Sequence, residues 1–405
     1  MKKKMRLVMI SLDAVARPDA DRLLRLPALS ALKAEGVYCG NVQTVYPTLT
    51  YPIHTSVITG CYPDRHGIAH NQPCQADTAP EMRKWYWDKS DIQVKTLWQA
   101  AREKGMDVAS VLWPVSGRAG RDIRRNFPEV LPLPGENAAL KMIRYGSPVW
   151  ILLMEALYGK KRKSIRQPDL DDYAALLCEK LIHSVYPPDL LTVHLVDCDA
   201  MRHQYGAHSA QAYAAMDRLD GRVNRILQAL QKAGLEKDTI VCVLSDHGQE
   251  DAQNAFDLNA AIRAALPSAV AQSTGMGAYV FAEDLQAAYA ALISHQAQWH
   301  VAHIYTEDEL RALHAPKNVT LAVDAQAGWR FADGQESGPH IGDHGFSLSH
   351  KAAKTLLWLR GGPFKKGFEL GQANIVDIAP TLAKALSLNL TGTDGQVLEQ
   401  AFDTQ

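Results

Sequence analysis

Aspartate and histidine residues stand together at several points along this chain of 405 residues. The tripeptide Asp-His-Gly occurs twice, at residues 246–248 and 343–345, and the first copy directly follows an apolar run. Asp13 and Asp199 each end another apolar run, and His203 follows Asp199 four residues later. A strand that ends in a carboxylate or an imidazole places a metal-binding group at the end of a sheet. These groups are too many for one zinc ion and suit two.

The elements that must position these groups alternate between strand-like and helical patterns. This alternation predicts an α/β fold, with helices on both faces of a mostly parallel central sheet. Strands are predicted at residues 6–12, 37–42, 107–112, 190–196, 239–244 and 355–359. Helices are predicted at residues 27–35, 94–103, 170–183, 210–233 and 376–386.

Two segments depart from this alternation. Residues 116–166 are rich in Gly, Pro and basic side chains, and residues 249–342 contain short strands and a helix of their own. We therefore interpret 1–405 as a single catalytic domain with two insertions, the second a small α+β cap. Both insertions follow core strands, at the end of the sheet where ligands bind in open α/β folds. The basic run 160–163 is expected to be a solvated loop rather than a phosphate site.

Composition excludes several classes of partner. Lys and Arg number 43 against 44 Asp and Glu, a net charge of −1, so no nucleic-acid-binding surface is expected. The first apolar run is short and is broken by Asp13, and no run approaches the ~18 apolar residues of a membrane span. Six cysteines without CxxC spacing are expected to be free thiols. These features predict a cytoplasmic protein without a membrane partner, and they leave its oligomeric state open.

A threonine-rich segment at residues 46–71 offers a nucleophile. Pro47 and Pro52 bracket Thr48 and Thr50, and a short helical pattern follows. A hydroxyl at the start of a helix lies in positive potential near free backbone N–H groups. That environment suits an alkoxide that attacks phosphorus, although an ordinary helix-capping threonine has the same local pattern.

The whole segment resembles the type I phosphodiesterase/nucleotide pyrophosphatase family of the alkaline phosphatase superfamily. The resemblance implies an alkaline-phosphatase-like three-layer sandwich, with Thr50 as nucleophile and Asn71 as donor to a non-bridging phosphoryl oxygen. Ile53 departs from the asparagine usual in the family. The matching residues are Pro47, Thr48, Thr50, Tyr51, Pro52, His54, Thr59, Gly60, Tyr62, Pro63, His66, Gly67, Ile68 and Asn71.

The same resemblance implies a set of metal ligands. One zinc ion is expected at Asp199, His203 and His344. The other is expected at Asp13, Asp246, His247 and the Thr50 oxygen. Manganese and iron are alternatives to zinc at mixed His/Asp sites. Ala14 and Gln249 stand where the family commonly has Gly and Met, Asp197 is a rival to Asp199, and Asp343 is not expected to bind.

The reaction implied is hydrolysis of a phosphodiester or pyrophosphate bond in a small nucleotide-like substrate, through a threonyl-phosphate intermediate. A neutral Asn71 favours a diester over a monoester, unless Arg65 or Arg202 points inward. A phosphomonoesterase and a phosphonoacetate hydrolase-like enzyme remain alternatives, as does a catalytically silent binding protein. Basic residues from 249–342 would favour the phosphonate, whereas an aromatic slot would favour a nucleobase. The slot candidates are Trp85, Tyr86 and Trp87, and His340 is a candidate for lining the site.

Overall fold

A computed structural model describes residues 5–334 and 340–403 of the chain. The strands are, in chain order, β1 (Arg6–Leu12), β2 (Val37–Gln43), β3 (Val108–Val111), β4 (Arg125–Phe127), β5 (Leu190–Leu195), β6 (Thr239–Ser245), β7 (Glu250–Asp251), β8 (Asn254–Phe256), β9 (Val270–Ser273), β10 (Gly277–Phe281), β11 (Val301–Tyr305), β12 (Ala322–Ala325), β13 (Trp329–Phe331), β14 (Gly342–Asp343), β15 (Lys354–Arg360), β16 (Phe368–Glu369) and β17 (Ala373–Asn374). The helices are α1 (Ala20–Leu23), α2 (Pro27–Glu35), α3 (Thr50–Thr59), α4 (Pro63–His66), α5 (Leu97–Glu103), α6 (Ala138–Tyr145), α7 (Pro148–Tyr158), α8 (Asp169–Ile182), α9 (Asp197–Tyr205), α10 (Ala210–Lys232), α11 (Leu258–Ala265), α12 (Leu285–Ser294), α13 (Glu307–Ala312) and α14 (Ile378–Ala385).

The central sheet has the strand order β16-β2-β15-β6-β1-β5-β3-β4, and β17 also pairs with β2. Its pairs are parallel except at β15, which runs antiparallel to both of its neighbours. Apolar side chains of α2, α8 and α10 pack on one face, and those of α3, α5 and α14 pack on the other. The predicted three-layer α/β fold with a mostly parallel sheet is therefore confirmed.

The central strands form because their sequences are apolar on both faces. Strands β5 and β6 are buried along their whole length, and β1 is buried after its first residue. Continuous burial is typical of parallel strands that are covered by helices on both sides. The apolar runs therefore fix where the strands end, and so they fix where Asp13 and Asp246 emerge.

Apart from β1 and α2, the predicted elements differ from the structure by one to three residues at their ends, and two of these differences have a clear physical reason. The run that leads to Asp199 leaves the strand at Leu195, and α9 begins at Asp197, so Asp199 lies in the first turn of a helix rather than at a strand end. The helix expected from residue 94 begins at Leu97. Thr96 caps it, accepting a hydrogen bond from the Gln99 N–H, and so the preceding residues stay outside.

One of the two irregular segments adds a strand to the edge of the central sheet, and the other forms a separate sheet. Residues 116–166 contain β4, which pairs in parallel with β3, and the helices α6 and α7. The segment from 249 to 342 contains a four-stranded antiparallel sheet, β11-β12-β10-β9, with α11, α12 and α13. Its short strand β14 pairs with β7 and leads into the second Asp-His-Gly copy. The division into one domain with two insertions stays a prediction.

All six cysteines lie in the described part of the chain, where none forms a disulfide. Cys74 is exposed and the other five are buried. Among the helices of residues 5–334 and 340–403, none is long and apolar enough to cross a bilayer.

Candidate active site

Three adjacent central strands bring the first carboxylates together. In the register of the sheet, Leu12 at the end of β1 lies beside Leu195 of β5 and Ser245 of β6. Asp13 and Asp246 are the next residues after β1 and β6, and both are buried. Because these strands are parallel, both carboxylates emerge at the same edge of the sheet.

The next pair of groups lies on one face of α9. Asp199 and His203 are four residues apart, a spacing that places side chains on the same side of a helix. The His203 Nε2 atom lies 3.3 Å from Asp199 Oδ1. The structure thus joins the two residues that the sequence assigned to one metal, whereas the rival Asp197 turns away and is bound by Arg218 and Arg222.

The proposed nucleophile is the first residue of α3. The sequence predicts a short helix after the bracketed threonines, and the helix begins at Thr50 itself. The Thr50 Oγ1 atom lies 3.2 Å from His247 Nε2. Asn71 Oδ1 accepts a hydrogen bond of 3.0 Å from the Tyr51 N–H at the same helix start. That bond engages the amide oxygen, so the NH₂ group is the part of the Asn71 amide that can act as a donor.

Three histidines share one orientation. Each places its Nδ1 atom at a backbone carbonyl: His203 at Gly342 (2.8 Å), His344 at Thr48 (3.1 Å) and His247 at Gly248 (3.2 Å). An Nδ1–H that donates to a carbonyl leaves Nε2 as the lone-pair atom, which is the usual arrangement of a metal-binding histidine. The Nε2 atoms of His203 and His247 do lie against carboxylates of the cluster.

The carboxylates and histidines form overlapping groups of metal-ligand geometry. Ligand atoms of Asp13, Asp246 and His247 lie within 4.8 Å of one another, and so do those of Asp199, His247 and His344. The buried oxygens Asp13 Oδ1 and Asp246 Oδ2 receive no hydrogen bond from any described residue. Because a buried carboxylate oxygen without a donor is costly, these atoms fit a cation. The mixed carboxylate and imidazole set is one that zinc accepts.

The pKa values of four members of the cluster, Asp13, Asp246, His247 and His344, also agree with a metal site. Burial and the nearby carboxylates raise the pKa of Asp13 well above its usual value, and burial raises that of Asp246 to about 6. Burial lowers the pKa of His247 to about 4 and that of His344 to about 3, so both rings are neutral at pH 7. These four groups form a site that a divalent cation stabilises. In the Asp199–His203 pair, burial is outweighed by the attraction between the two side chains, which lowers the pKa of Asp199 and raises that of His203 to about 10.

Asp343 also lies near this cluster, with a ligand atom close to those of His203 and His344. Both of its oxygens are already engaged, however. Oδ1 accepts the His344 N–H at 2.8 Å, and Oδ2 lies 3.0 Å from His340 Nε2. These bonds agree with the expectation that Asp343 is not a ligand, and they place it as an anchor for the loop that carries His344.

Two supporting contacts were not anticipated from the sequence. His194 lies between Asp13 Oδ2 and Glu129 Oε2, at 2.9 Å from each, so it orients the Asp13 carboxylate. Gln249 donates from Nε2 to Asp199 Oδ1 at 2.5 Å. For the Gln249 contact, the sequence signal was the departure of Gln249 from the family pattern. The His194 contact had no such signal, because Glu129 lies 65 residues from His194.

A cleft of about 200 Å³ opens beside the cluster and contains Asn71 and His344 in its wall. Trp85 lines it, but the other aromatic candidates, Tyr86 and Trp87, do not. Phe331 and the buried Arg330 enter from the 249–342 segment. His340 lines the cleft as expected. The complete lining is Leu49, His70, Asn71, Gln72, Trp85, Ser273, Thr274, Gly275, Arg330, Phe331, Ala332, Asp333, His340, Asp343 and His344.

The two arginines near the sequence motifs are engaged elsewhere. Arg202 is buried and donates to the Ala14 carbonyl and to Asp19, both at 2.6 Å. Arg65 pairs with Asp394 at 2.5 Å on the surface. Both therefore hold the chain in place, and neither lines the cleft.

An α/β sandwich with paired Asp and His groups at the ends of its central strands is the alkaline-phosphatase-like class of protein. The structure of murine ectonucleotide pyrophosphatase/phosphodiesterase 5 superposes on 98% of this chain and on all of that one, with a TM-score of 0.72 at 18% identity. A second murine structure, of an inactive threonine-to-alanine variant in complex with AMP, gives a TM-score of 0.73 at 17% identity, over 99% of this chain and all of that one. At these identities the likeness establishes the fold.

The family follows from the sequence comparison. The model of the type I phosphodiesterase/nucleotide pyrophosphatase family matches residues 7–347, and the chain belongs to this family. Human ectonucleotide pyrophosphatase/phosphodiesterase family member 1 is 27% identical over 56% of this chain and 21% of its own length. The bis(5'-adenosyl)-triphosphatase enpp4 of Xenopus laevis is 24% identical over 96% of this chain and 78% of its own length. The chain thus spans about a fifth of the first of these relatives.

Proposed function

We propose that this protein is a metal-dependent hydrolase that cleaves phosphodiester or pyrophosphate bonds of nucleotide-like substrates, with Thr50 as the nucleophile. The observation that carries the proposal is the position of the Thr50 hydroxyl. It stands at the N-terminus of α3, 3.2 Å from His247 Nε2 and beside buried carboxylates that lack donors among the described residues.

The residues that would hold two zinc ions fall into two sets. Asp199, His203 and His344 form one set. Asp13, Asp246 and His247 form the other, together with the Thr50 oxygen. When bound, a pair of such ions supplies Lewis-acid stabilisation of the attacking and leaving oxygens. Zinc suits these ligands best, and manganese and iron are the alternatives.

Thr50, Asn71 and the N-terminus of α3 have different roles in the proposed reaction. Thr50 Oγ1 attacks phosphorus, a threonyl-phosphate bond forms, and the bond from phosphorus to the leaving oxygen breaks. The Asn71 amide donates to a non-bridging oxygen, and the α3 N-terminus favours the negative charge there. Water then hydrolyses the threonyl-phosphate and restores the Thr50 hydroxyl.

A diester or pyrophosphate is favoured over a monoester by the charge of the site. A monoester brings one more anionic oxygen, which needs a cationic partner. Asn71 is neutral, and Arg65 and Arg202 are bound to Asp394 and to Ala14 with Asp19. These three groups therefore do not supply the charge that a monoesterase requires. Arg330 also lines the cleft, so monoester turnover by Arg330→Met tests whether it supplies that charge instead.

The nucleotide character of the substrate is supported by two kinds of observation. Relatives include a bis(5'-adenosyl)-triphosphatase, and a solved relative was crystallised as an inactive threonine-to-alanine variant with AMP. In this chain, Trp85 and Phe331 line the cleft beside Asn71. Aromatic side chains of this kind offer stacking surfaces to a base.

The decisive experiment compares two substrates and two threonines. Turnover of p-nitrophenyl thymidine monophosphate is expected to exceed that of p-nitrophenyl phosphate, and Thr50→Ala is expected to lose roughly 10³-fold in kcat. Thr55→Val is the matched control, because Thr55 is a buried threonine of the same helix whose hydroxyl donates to the Tyr51 carbonyl. Undiminished turnover by Thr50→Ala would exclude this nucleophile, and better monoester turnover would exclude the diesterase.

A phosphonate hydrolase is the second candidate, and Arg330 is the observation that favours it. A guanidinium from the 249–342 segment lies in the wall of the cleft, as a carboxylated phosphonate would require. Release of inorganic phosphate from phosphonoacetate, lost in Arg330→Met, would support this activity. Phosphonoacetate that is left intact while the nucleotide diester is cleaved would reject it.

A further inference from the structure

A second surface of interest lies on α7, outside the active site. The helix packs Ile151 and Met154 into the core beside β4. Its outer side carries large apolar side chains that no described residue covers. Val149 is 83% exposed, and Leu152, Leu153 and Leu157 are each at least half exposed. We call the outer side of α7, formed by Val149, Leu152, Leu153, Ala156 and Leu157, the apolar face.

The spacing of these residues makes the apolar face continuous. Positions 149, 153 and 157 follow one another at four-residue intervals, and 152 and 156 lie beside them, so all five share one side of the helix. Two further exposed apolar side chains, Leu140 at 66% and Ile165 at 57%, belong to the same stretch of chain. An exposed apolar stripe of this size usually marks an interaction surface.

A cluster of positive charge follows the helix directly. Residues 159–168 contain five basic side chains and no acidic one. Lys160, Lys161, Lys163 and Arg166 are exposed, and none of the four forms an ion pair with another described residue. We call these four residues the basic cluster.

The fifth basic residue fixes the cluster to the helix. Arg162 donates to both carboxylate oxygens of Glu155, each at 3.0 Å, and its guanidinium lies over the Tyr173 ring. Glu155 is the one acidic residue within α7, and this pair neutralises it. The basic cluster is thereby held at the C-terminal end of the apolar face.

We infer that the apolar face and the basic cluster together form a docking surface for an anionic lipid membrane. Apolar side chains enter the boundary between headgroups and acyl chains while adjacent lysines bind anionic headgroups, as in helices that lie in the interface plane. A symmetric contact with a second copy of the chain would place the same patch on both subunits, and that patch offers the basic cluster no acidic partner, because Glu155 is already paired with Arg162. The charge therefore favours lipid over self-association. This surface lies outside the cleft, and the inference does not depend on the proposed hydrolysis. It departs from the sequence expectation of a protein without a membrane partner, because the exposure of the α7 side chains is visible only in the structure.

Flotation with lipid vesicles tests the inference on the full chain. The protein is expected to bind vesicles of 70% phosphatidylcholine and 30% phosphatidylglycerol at low salt, and to bind pure phosphatidylcholine vesicles at least tenfold more weakly. High salt should weaken binding to the anionic vesicles, because the contribution of the basic cluster is screened. Absence of binding to the anionic vesicles would overturn the inference.

Two pairs of variants locate the contact. Leu153→Glu with Leu157→Glu should reduce vesicle binding at least tenfold, whereas Ile293→Glu, at an equally exposed position on α12, should not. Charge reversal at Lys160, Lys161 and Lys163 should have a similar effect. Its control reverses three other exposed lysines, Lys232, Lys237 and Lys366, with the same change in net charge.

The outcomes separate lipid from protein as the occupant. Equal loss in the control variants would show a general charge effect and overturn the assignment to α7. A dimer measured by light scattering that Leu153→Glu abolishes, without any vesicle binding, would show that the apolar face is an interface between copies. The thermal unfolding temperature of the α7 variants should equal that of the unaltered protein, which shows that the variants are folded.

Discussion

The two Asp-His-Gly copies share a hydrogen bond between the aspartate and the next backbone N–H, but they differ in what surrounds the second carboxylate oxygen. In both copies the aspartate Oδ1 accepts the N–H of the histidine that follows it, at 2.7 Å in Asp246-His247 and at 2.8 Å in Asp343-His344. The second oxygen differs. Asp246 Oδ2 is buried without a donor among the described residues, whereas Asp343 Oδ2 is bound by His340.

This difference appears in the pKa values and assigns the roles. Burial raises the pKa of Asp246 to about 6. Burial acts on Asp343 in the same direction, but the bond from His340 and the neighbouring imidazoles lower its pKa to about 2. The same tripeptide thus gives Asp246, which has a buried oxygen without a donor among the described residues, and Asp343, both of whose oxygens have partners. In both copies the motif supplies a histidine of the proposed site, and the neighbouring residues decide whether the carboxylate keeps an oxygen available to a cation.

The largest expected effect is at Asp246. Asp246→Asn removes a charged ligand, and we expect kcat/KM to fall by roughly 10³-fold, equivalent to about 4 kcal/mol. Metal content, measured by mass spectrometry of the purified protein, should fall from two ions to one. A variant that keeps both ions and wild-type turnover would contradict the role given to this carboxylate.

The next largest effect is a loss of stability when the glycine of either Asp-His-Gly copy is replaced. Gly345 has φ +82°, and an added Cβ would lie 1.6 Å from the Thr274 carbonyl oxygen. Gly345→Ala should therefore lower the free energy of unfolding by about 3 kcal/mol or more. Gly248 lacks a positive φ, and its added Cβ would meet the side chain of Ala16 at 2.8 Å. Thermal unfolding with a chelator present, so that metal does not contribute, should show the smaller loss for Gly248→Ala.

A smaller effect is expected at the residue that follows the first copy. Gln249 donates to Asp199 Oδ1 and so links the first copy to a ligand of the other predicted metal. Gln249→Met keeps the size and removes the donor, and it should weaken metal binding by about 10-fold. Competition with a zinc chelator measures this affinity. Unchanged affinity would show that Asp199 needs no orientation by Gln249.

The smallest effect is expected at Asp343. Asp343→Asn keeps an acceptor for the His344 N–H, so kcat/KM should fall by less than about 10-fold and both metal ions should remain. The same two assays as for Asp246→Asn apply. A loss as large as that of Asp246→Asn would mean that the two copies are equivalent and that Asp343 is a ligand.

Much of the architecture was available from the sequence because burial on both faces makes strands apolar throughout. The predicted strand 6–12 and helix 27–35 match β1 and α2 in both ends. The α9 helix was missed because Asp197–Tyr205 is polar and short, and because its two site residues stand next to a strand-like run. The strand β4 was missed because three residues within a Gly- and Pro-rich segment carry no periodic signal.

Some residues of the candidate site could be selected from the sequence, and others were visible only in the structure. Thr50, the histidines and the aspartates were selected by motif, and the structure brings them to one edge of the sheet. The expected cytoplasmic location and the identity of the metal stay predictions. Glu129 and Arg330 could not be assigned from the sequence, since each reaches the site from an insertion whose path depends on packing. The exposure of the outer side of α7 could not be predicted from the sequence either, because covered and exposed apolar helices have the same sequence pattern.

The sequence by itself determined the family, the central strands and the candidate metal ligands, because these depend on local pattern and on residue type. Only the tertiary structure decided which carboxylate oxygens are left without a donor, which arginines turn away from the cleft, and which apolar side chains face outward. Those properties depend on contacts between residues far apart in the chain, such as Ala14 with Asp246, which are separated by 232 positions. Hydrogen-bond satisfaction and burial are properties of the packed molecule, and so two identical tripeptides could acquire different chemistry.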